Sequence, residues 1–203
     1  SFHNSDAPSD EAAEFYKWMA RKAVDEDLCD IRARYTEKGL PFLLAVLDVK
    51  DDRGIEYEEL VGCVGLMKEG DYDPILSDKQ ENSSSSPAGG ATHAELTVLS
   101  VHKHYRRHGV GSKLVSAVEE RARVQGFETI VASVFVTGGD GDASRDSHAA
   151  MALLLRGNGG DAGGGYSVDR QSEVHVGELL GHSRKRRKKA ADSVVRYHLR
   201  KAL

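Results

Sequence analysis

The 203 residues, 39% of them hydrophobic and 30% charged, supply enough chain and apolar material for one domain with a real core and some insertions. A net charge of −4 argues against a general polyanion binder. Two cysteines, Cys29 and Cys63, cannot build a disulfide framework, and no CxxC or Cys/His spacing marks a metal site. There is no apolar run of about 18 residues, so no helix here is expected to cross a membrane. The chain opens at Ser1 without a signal-like segment, and an N-terminal truncation is expected.

Asp10 to Glu37 reads as one helix, with Ala13, Tyr16, Met19 and Ala20 near helical spacing and no glycine or proline inside. Gly39 and Pro41 stop it. Phe42 to Val49 is an apolar run of strand length, Asp51 to Gly54 supplies a turn, and Glu59 to Met67 returns as a second strand, so the pair predicts an antiparallel hairpin with Phe42 and Met67 in the core. A polar, small-residue stretch near 77–92 follows and reads as a surface loop. Ala94 to Val101 is a third strand, Val110 to Gln125 a helix, and Glu128 to Val136 a fourth strand. The helix carries one apolar stripe of Val110, Leu114, Val118 and Ala122, with Glu119, Glu120 and Arg123 off it, and Gly126 ends it.

Another insert near 137–146 precedes the helical stretch Ser147 to Arg156, and glycine-rich residues near 157–165 follow it. Tyr166–Val168 and Ser193–Leu203 read as terminal strands. The basic run Arg184–Lys189, within an insert near 181–190, reads as a solvated loop and not as a nucleic-acid site. A strand–helix–strand crossover makes the strands on either side of the Val110 helix parallel, within a mixed, mostly antiparallel sheet covered by helices on both faces.

The turn before that helix, Arg106-Arg107-His108-Gly109-Val110-Gly111-Ser112, carries the strongest chemical signal. A helix start presents unpaired N–H groups and a partial positive charge, glycines let a phosphate approach the backbone, and arginines add charge-assisted hydrogen bonds. The spacing is not GxxxxGK[ST], and Leu114 occupies the third glycine position of GxGxxG. It is R-x-x-G-x-G: Arg106, Gly109, Gly111.

With an apolar strand before it and an amphipathic helix after it, this motif resembles the pyrophosphate loop, [QR]xxGx[GA], of the GCN5-related N-acetyltransferase (GNAT) superfamily. The resemblance covers Phe42 to Val136 well and the C-terminal part poorly. It implies an α/β (α+β) acyl-CoA N-acyltransferase fold over residues 1–203 as a single domain, with acetyl-CoA as co-substrate. The amides of Arg107, His108, Gly109, Val110, Gly111 and Ser112, with Arg106 beside them, would hold the pyrophosphate, and Leu99 and Val101 on the splayed strand would hold the pantetheine. Glu95, fourteen positions before Gly109, stands where histone-type members carry a general base. It would share a strand face with Thr97 and Leu99, and a half-apolar cleft would raise its pKa toward neutrality. The Leu99 N–H would serve as oxyanion donor.

The resemblance implies a tyrosine acid on the later helix, in a pattern like NxxAxxLYxxxGF. Ser147 and Ala150 fit, but Leu154 takes the tyrosine's place, leaving Tyr166 and His148 as other donors or the thiolate to leave unassisted. The runs "DLCDIRARYTEKGLPFLLAV" and "VGCVGL", with "YHL" near the end, resemble the camello-like N-acetyltransferases, which implies a membrane tether upstream of Asp27. His102, His104 and His108 read as an anion-binding or solvated turn and not a metal site. The expected activity is acetyl transfer to a primary amine, on a small molecule or a protein lysine, by direct attack in a ternary complex. The alternatives are a catalytically impaired acyl-CoA-binding module and a nucleic-acid-associated module using Arg184–Lys189.

Overall fold

The computed structural model describes residues 10–69, 93–137, 142–156, 165–175 and 193–203. Helix α1 spans Asp10–Lys22 and runs into two single π-helical turns, Ala23–Asp27 and Arg32–Thr36. The continuous helix expected to Glu37 therefore breaks. Asp30 Oδ1 accepts the Ala33 N–H at 2.9 Å, an N-cap bond that restarts the helical path instead of continuing it.

The strands are β1 (Phe42–Lys50), β2 (Glu56–Lys68), β3 (His93–Val101), β4 (Thr129–Thr137), β5 (Ser167–His175) and β6 (Ser193–Ala202), and they form one sheet in the order β1-β2-β3-β4-β6-β5. Helix α2 (Val110–Val124) joins β3 to β4, the only parallel pair among the described strands, and α3 (Asp142–Arg156) follows β4. The expected hairpin, parallel pair and mixed sheet are all present. The Asp51 carboxylate shapes the hairpin turn by accepting the Arg53 and Ile55 N–H groups at 2.9 and 2.8 Å.

Three expectations need correction. Helix α3 begins at Asp142, inside the stretch 137–146 read as an insert. Strand β5 runs from Ser167 to His175, well past the expected Val168, because an edge strand bearing Asp169, Arg170 and Glu173 lacks the apolar alternation that marks a half-buried one. Phe42 is half-buried, not fully in the core, with its ring 4.9 Å from that of Tyr35, whereas Met67 is buried as expected. Most of the other inserts, with Arg184–Lys189, lie outside the described residues.

Alternation along β3 and β4 separates the two faces of the sheet. Glu95, Thr97, Ser133 and Phe135 face α1 and the π-helical turns, where Phe15 packs edge-on against Phe135 with ring centroids 5.8 Å apart. Ile130, Ala132, Val134 and Val136 face α2 and α3 and are buried. Leu114, Val118 and Ala122 of the expected α2 stripe are buried here, each worth about 1.5–3 kcal/mol for the larger side chains.

Glu119 belongs to this buried face as well, against expectation. It accepts a 2.8 Å bond from Lys201 Nζ of β6, with both side chains about 5% exposed (5% and 6%). The Lys201 ammonium also lies 5.7 Å from the centre of the Tyr166 ring. The partner that permits a buried carboxylate on α2 comes from 82 residues away in sequence, so helical spacing alone sorts Glu119 to the wrong face.

Removing one partner leaves an uncompensated buried charge. Glu119→Ala and Lys201→Ala are each expected to cost about 3–5 kcal/mol of unfolding free energy, whereas the double variant Glu119→Leu/Lys201→Met recovers most of that loss. Urea unfolding of the three proteins measures this, and single variants as stable as wild type would show that the pair is solvated.

Candidate functional site

The site is built around a break in strand pairing. Between β2 and β3 the partners run Gly62↔Val101 and Cys63↔Ser100, then resume at Gly65↔Thr97, so β3 carries one extra residue. Val98 sits there at φ 48°, a left-handed backbone that a β-branched residue adopts only under constraint. Its carbonyl accepts a weak 3.7 Å bond from Cys63 Sγ. On the other side, β3 pairs with β4 only from His93↔Thr129 to Leu96↔Ala132. Beyond that point the two strands part, while β4 stays paired to β6 as far as Thr137↔Val194. The result is a wedge between β3 and β4 that opens toward the start of α2.

The extra residue also resets which side chains share a face. Because Cys63 and Gly65 point to the α1 side, their partners Ser100 and Thr97 do so too. Leu99 therefore falls with Val101 on the α2 side. The expected common face of Glu95, Thr97 and Leu99 is corrected to Glu95, Thr97 and Ser100, and Leu99 packs against the α2-side core.

Glu95 is buried, and loss of solvent pushes its carboxyl up to about 7, with the Arg196 charge pulling the other way and Glu69 adding a smaller upward push. This is the direction expected from the sequence. Beside it the Thr97 and Tyr35 hydroxyls share a 2.9 Å hydrogen bond. Gly65 is what admits the Tyr35 ring: a Cβ there would lie 2.7 Å from both Thr97 Oγ1 and Tyr35 Cε1.

Across the wedge, Arg196 Nη2 donates to Ser133 Oγ at 3.0 Å and its guanidinium lies 5.6 Å from the Phe135 ring centre. His198, opposite Ser133, is driven down to about 4 by burial and by Arg196 and Arg170, so it is neutral at physiological pH. The Tyr16 hydroxyl of α1 donates to the Phe135 carbonyl at 3.2 Å. Arg196, His198, Tyr35 and Tyr16 were not among the residues expected at the site. The alternation Val194, Arg196, His198, Arg200 along "SVVRYHLRKAL" is the signal that places Arg196 and His198 on one strand face.

At the wide end, Gly109 is the N-cap of α2 at φ 80°, a conformation that glycine takes without penalty. A Cβ on Gly109 would meet nothing within 4 Å among the described residues. Arg107 also has positive φ, 68°. Arg106, Arg107, His108 and Gly109 are exposed, and Val110, Gly111 and Ser112 half-buried, so the whole predicted loop is gathered at this one helix start. Gly111 has a second role. A Cβ there would lie 3.1 Å from Leu153 Cδ2, so its lack of a side chain lets α3 pack close to α2. Arg106 Nε donates to the Val101 carbonyl at 3.0 Å and ties the loop to the end of β3.

Leu154 is buried in the core. Tyr166 is buried between Glu119 and Lys201, and burial with the Glu119 charge raises its phenol well above the usual range. Glu119 lies ten residues along α2 from Gly109, about 15 Å by helical rise. His148 is exposed on α3. In the histidine turn, the rings of His102 and His104 are 5.3 Å apart, and Tyr105 Oη donates to Glu59 at 2.5 Å.

A sequence-family model, described as the acetyltransferase (GNAT) family, matches residues 7–149, more than half of the chain. No curated protein matches the sequence. Among solved structures, an aminoglycoside 6'-N-acetyltransferase complexed with coenzyme A is 14% identical, with 100% of this chain and 95% of the other covered and a TM-score of 0.49. A GCN5-related N-acetyltransferase from Rhodopseudomonas palustris is 17% identical, covering 97% and 78%, with a TM-score of 0.43. An acetyltransferase of the GNAT family from Staphylococcus aureus Mu50 is 15% identical, covering 95% and 96%, with a TM-score of 0.39.

The raised pKa of Glu95 has a stability consequence of fixed sign. Between its ordinary value of about 4.5 and about 7 the folded chain holds a proton that the unfolded chain has shed. The Glu95 contribution to stability is therefore expected to fall as pH rises through that window, with its penalty complete above it, while His198, held neutral in the folded chain, contributes the opposite slope between about 4 and 6.5. Glu95→Gln, neutral throughout, should lose this slope and be more stable than wild type above about pH 7. Urea midpoints across that range decide it, and an unchanged slope would mean that the carboxyl is solvated.

Proposed function

The chain belongs to the acetyltransferase (GNAT) family, and from that premise we propose that it moves an acetyl group from acetyl-CoA to a primary amine, of a small molecule or a protein lysine, by direct attack in a ternary complex. The observation that carries this reading is a single opening with the right group at each end. The β3–β4 wedge has the N-terminus of α2 at its mouth and, in the last paired residues at its closed end, a buried carboxyl of near-neutral pKa.

In this reading the amides from Arg107 to Ser112 hold the pyrophosphate, the free edge of β3 around Leu99 and Val101 lines the pantetheine, and the Leu99 N–H faces the acetyl oxygen. The amine nitrogen attacks the thioester carbon, forming the C–N bond as the C–S bond breaks. Glu95 takes the proton from nitrogen, and a pKa near 7 suits a base working near neutrality. With the Tyr166 ring buried beside the Lys201 ammonium and Leu154 in the core, the thiolate leaves unassisted. A thiol of pKa about 8.5 is a competent leaving group.

The burial of Leu154 is also what favours a second reading, an acyl-CoA-binding module with impaired turnover. On the residue pattern from Asp27 to Val46 we place the chain in the camello-like branch, as one domain over residues 1–203 tethered to an internal membrane by a segment upstream. That finer placement rests on the pattern alone.

Two variants separate binding from chemistry. Gly109→Asp should abolish acetyl-CoA binding in calorimetric titration, since it puts a carboxylate at the N-terminus of α2. Glu95→Gln should bind acetyl-CoA normally and slow amine acetylation by roughly 10²–10⁴-fold at neutral pH. Full turnover in Glu95→Gln would remove that residue from the mechanism, and binding without turnover in wild type would select the second reading.

A further inference from the structure

Six of the ten exposed large hydrophobic side chains among the described residues lie on the β1–β2 hairpin. Three of them form one patch. Leu44 and Val46 are two apart on β1, and Leu60 is opposite Val46, so all three point to the Glu95 face, at 56%, 48% and 56% exposure. The same face continues outward with the opposed pair Asp48 and Glu58, then Lys50 with Glu56, 3.6 Å apart.

β1 is the edge of the sheet, and its outer side has no partner strand among the described residues. Among the described residues it also carries few of the devices that blunt an edge, Asp48 and Lys50 being its only charged side chains. Its nine residues contain no proline or glycine and no lysine before the last position, and the extra residue of the bulge between Ala45 and Val46 is Val61, on β2.

We propose that this edge is a docking surface for an extended, cationic, amphipathic polypeptide segment, which adds as a strand to β1. Its apolar side chains would rest on Leu44, Val46 and Leu60, and its basic ones would meet Asp48 and Glu58. Charge selects this occupant. The hairpin from Phe42 to Lys68 carries six acidic and three basic residues. A second copy of the hairpin would bring net negative charge against net negative charge, and an anionic lipid surface would be repelled likewise. The proposal does not depend on the acetyl-transfer reading, because the surface lies two strands away from the β3–β4 wedge.

The test uses a fluorescein-labelled peptide of alternating lysine and valine, with an alternating glutamate–valine peptide as control, and reads anisotropy on the full chain. The lysine peptide should bind saturably and the glutamate peptide should not. Val46→Lys and, separately, Asp48→Lys should each weaken binding about tenfold or more without moving the urea midpoint. Equal binding of both peptides, or binding indifferent to both variants, overturns the proposal. So does a dimer in sedimentation that Val46→Lys dissolves, which would assign the edge to a second copy. Slow amide exchange along the outer side of β1 in the unliganded monomer would mean that the chain covers its own edge, and would also overturn it.

Discussion

The extra residue at Val98 is the constraint on which the rest of the site depends. Strand β3 is held by β2 on one side and must leave β4 on the other, and a one-residue bulge meets both demands. It twists the strand away from β4 after Leu96, and it costs a β-branched residue at φ 48°. The surroundings over-determine that conformation: Cys63 Sγ reaches the Val98 carbonyl, the Tyr35–Thr97 pair pins the strand just before the bulge, and Arg106 pins it just after, at Val101. The bulge also divides the chemistry. Ahead of it, Glu95 and Thr97 face α1; past it, Leu99 and Val101 face α2. A molecule threaded between β3 and β4 would thus meet the carboxyl from one side of the sheet and the helix N-terminus from the other end.

The second requirement is that α2 be immobile, because amides aimed at an anion are worth most when they need no reorganisation. Three contacts fix the helix at different points along its length. Gly111 seats its first turn against Leu153 of α3, Glu119 ties its middle to Lys201 of β6, and Gln125 at its end donates to the Gly39 carbonyl at 2.6 Å. The buried ion pair is thus more than a packing curiosity. It joins the last strand of the chain to the helix that follows the Arg106–Ser112 loop, so the C-terminal strand supports a loop some ninety positions earlier.

What the sequence revealed and what it hid follow from range. The loop Arg106–Ser112, the hairpin and the strand–helix–strand unit are local patterns, and glycine spacing with apolar periodicity defines them without reference to anything distant. Glu95 could be placed on its strand, and the direction of its pKa anticipated, because burial of a carboxyl has a known sign. The bulge had no local signature, since Val98 is an ordinary strand residue, and missing it put Leu99 on the wrong face. Glu119 was sorted by helical angle when its partner lies in β6. The break after α1 needed Asp30 to be recognised as a cap within an uninterrupted helical composition. Arg196 and His198 belong to a strand that was recognised as such, but their relation to Glu95 exists only through the order β3-β4-β6.

That order explains how one carboxyl is kept near neutrality. Burial drives the Glu95 carboxyl upward, toward the protonated form. Arg196 opposes it from two strands away, with its guanidinium bonded to Ser133 and set against the face of Phe135. An arginine free to close on Glu95 would form an ion pair and pull the pKa below its ordinary value. One anchored on β4 and β6 offsets only part of the desolvation. The wedge sustains this balance because β4 lies between the two charges and stays paired to β6 after β3 has left. The same departure of β3 that opens the wedge leaves Glu95 and Arg196 on strands separated by β4.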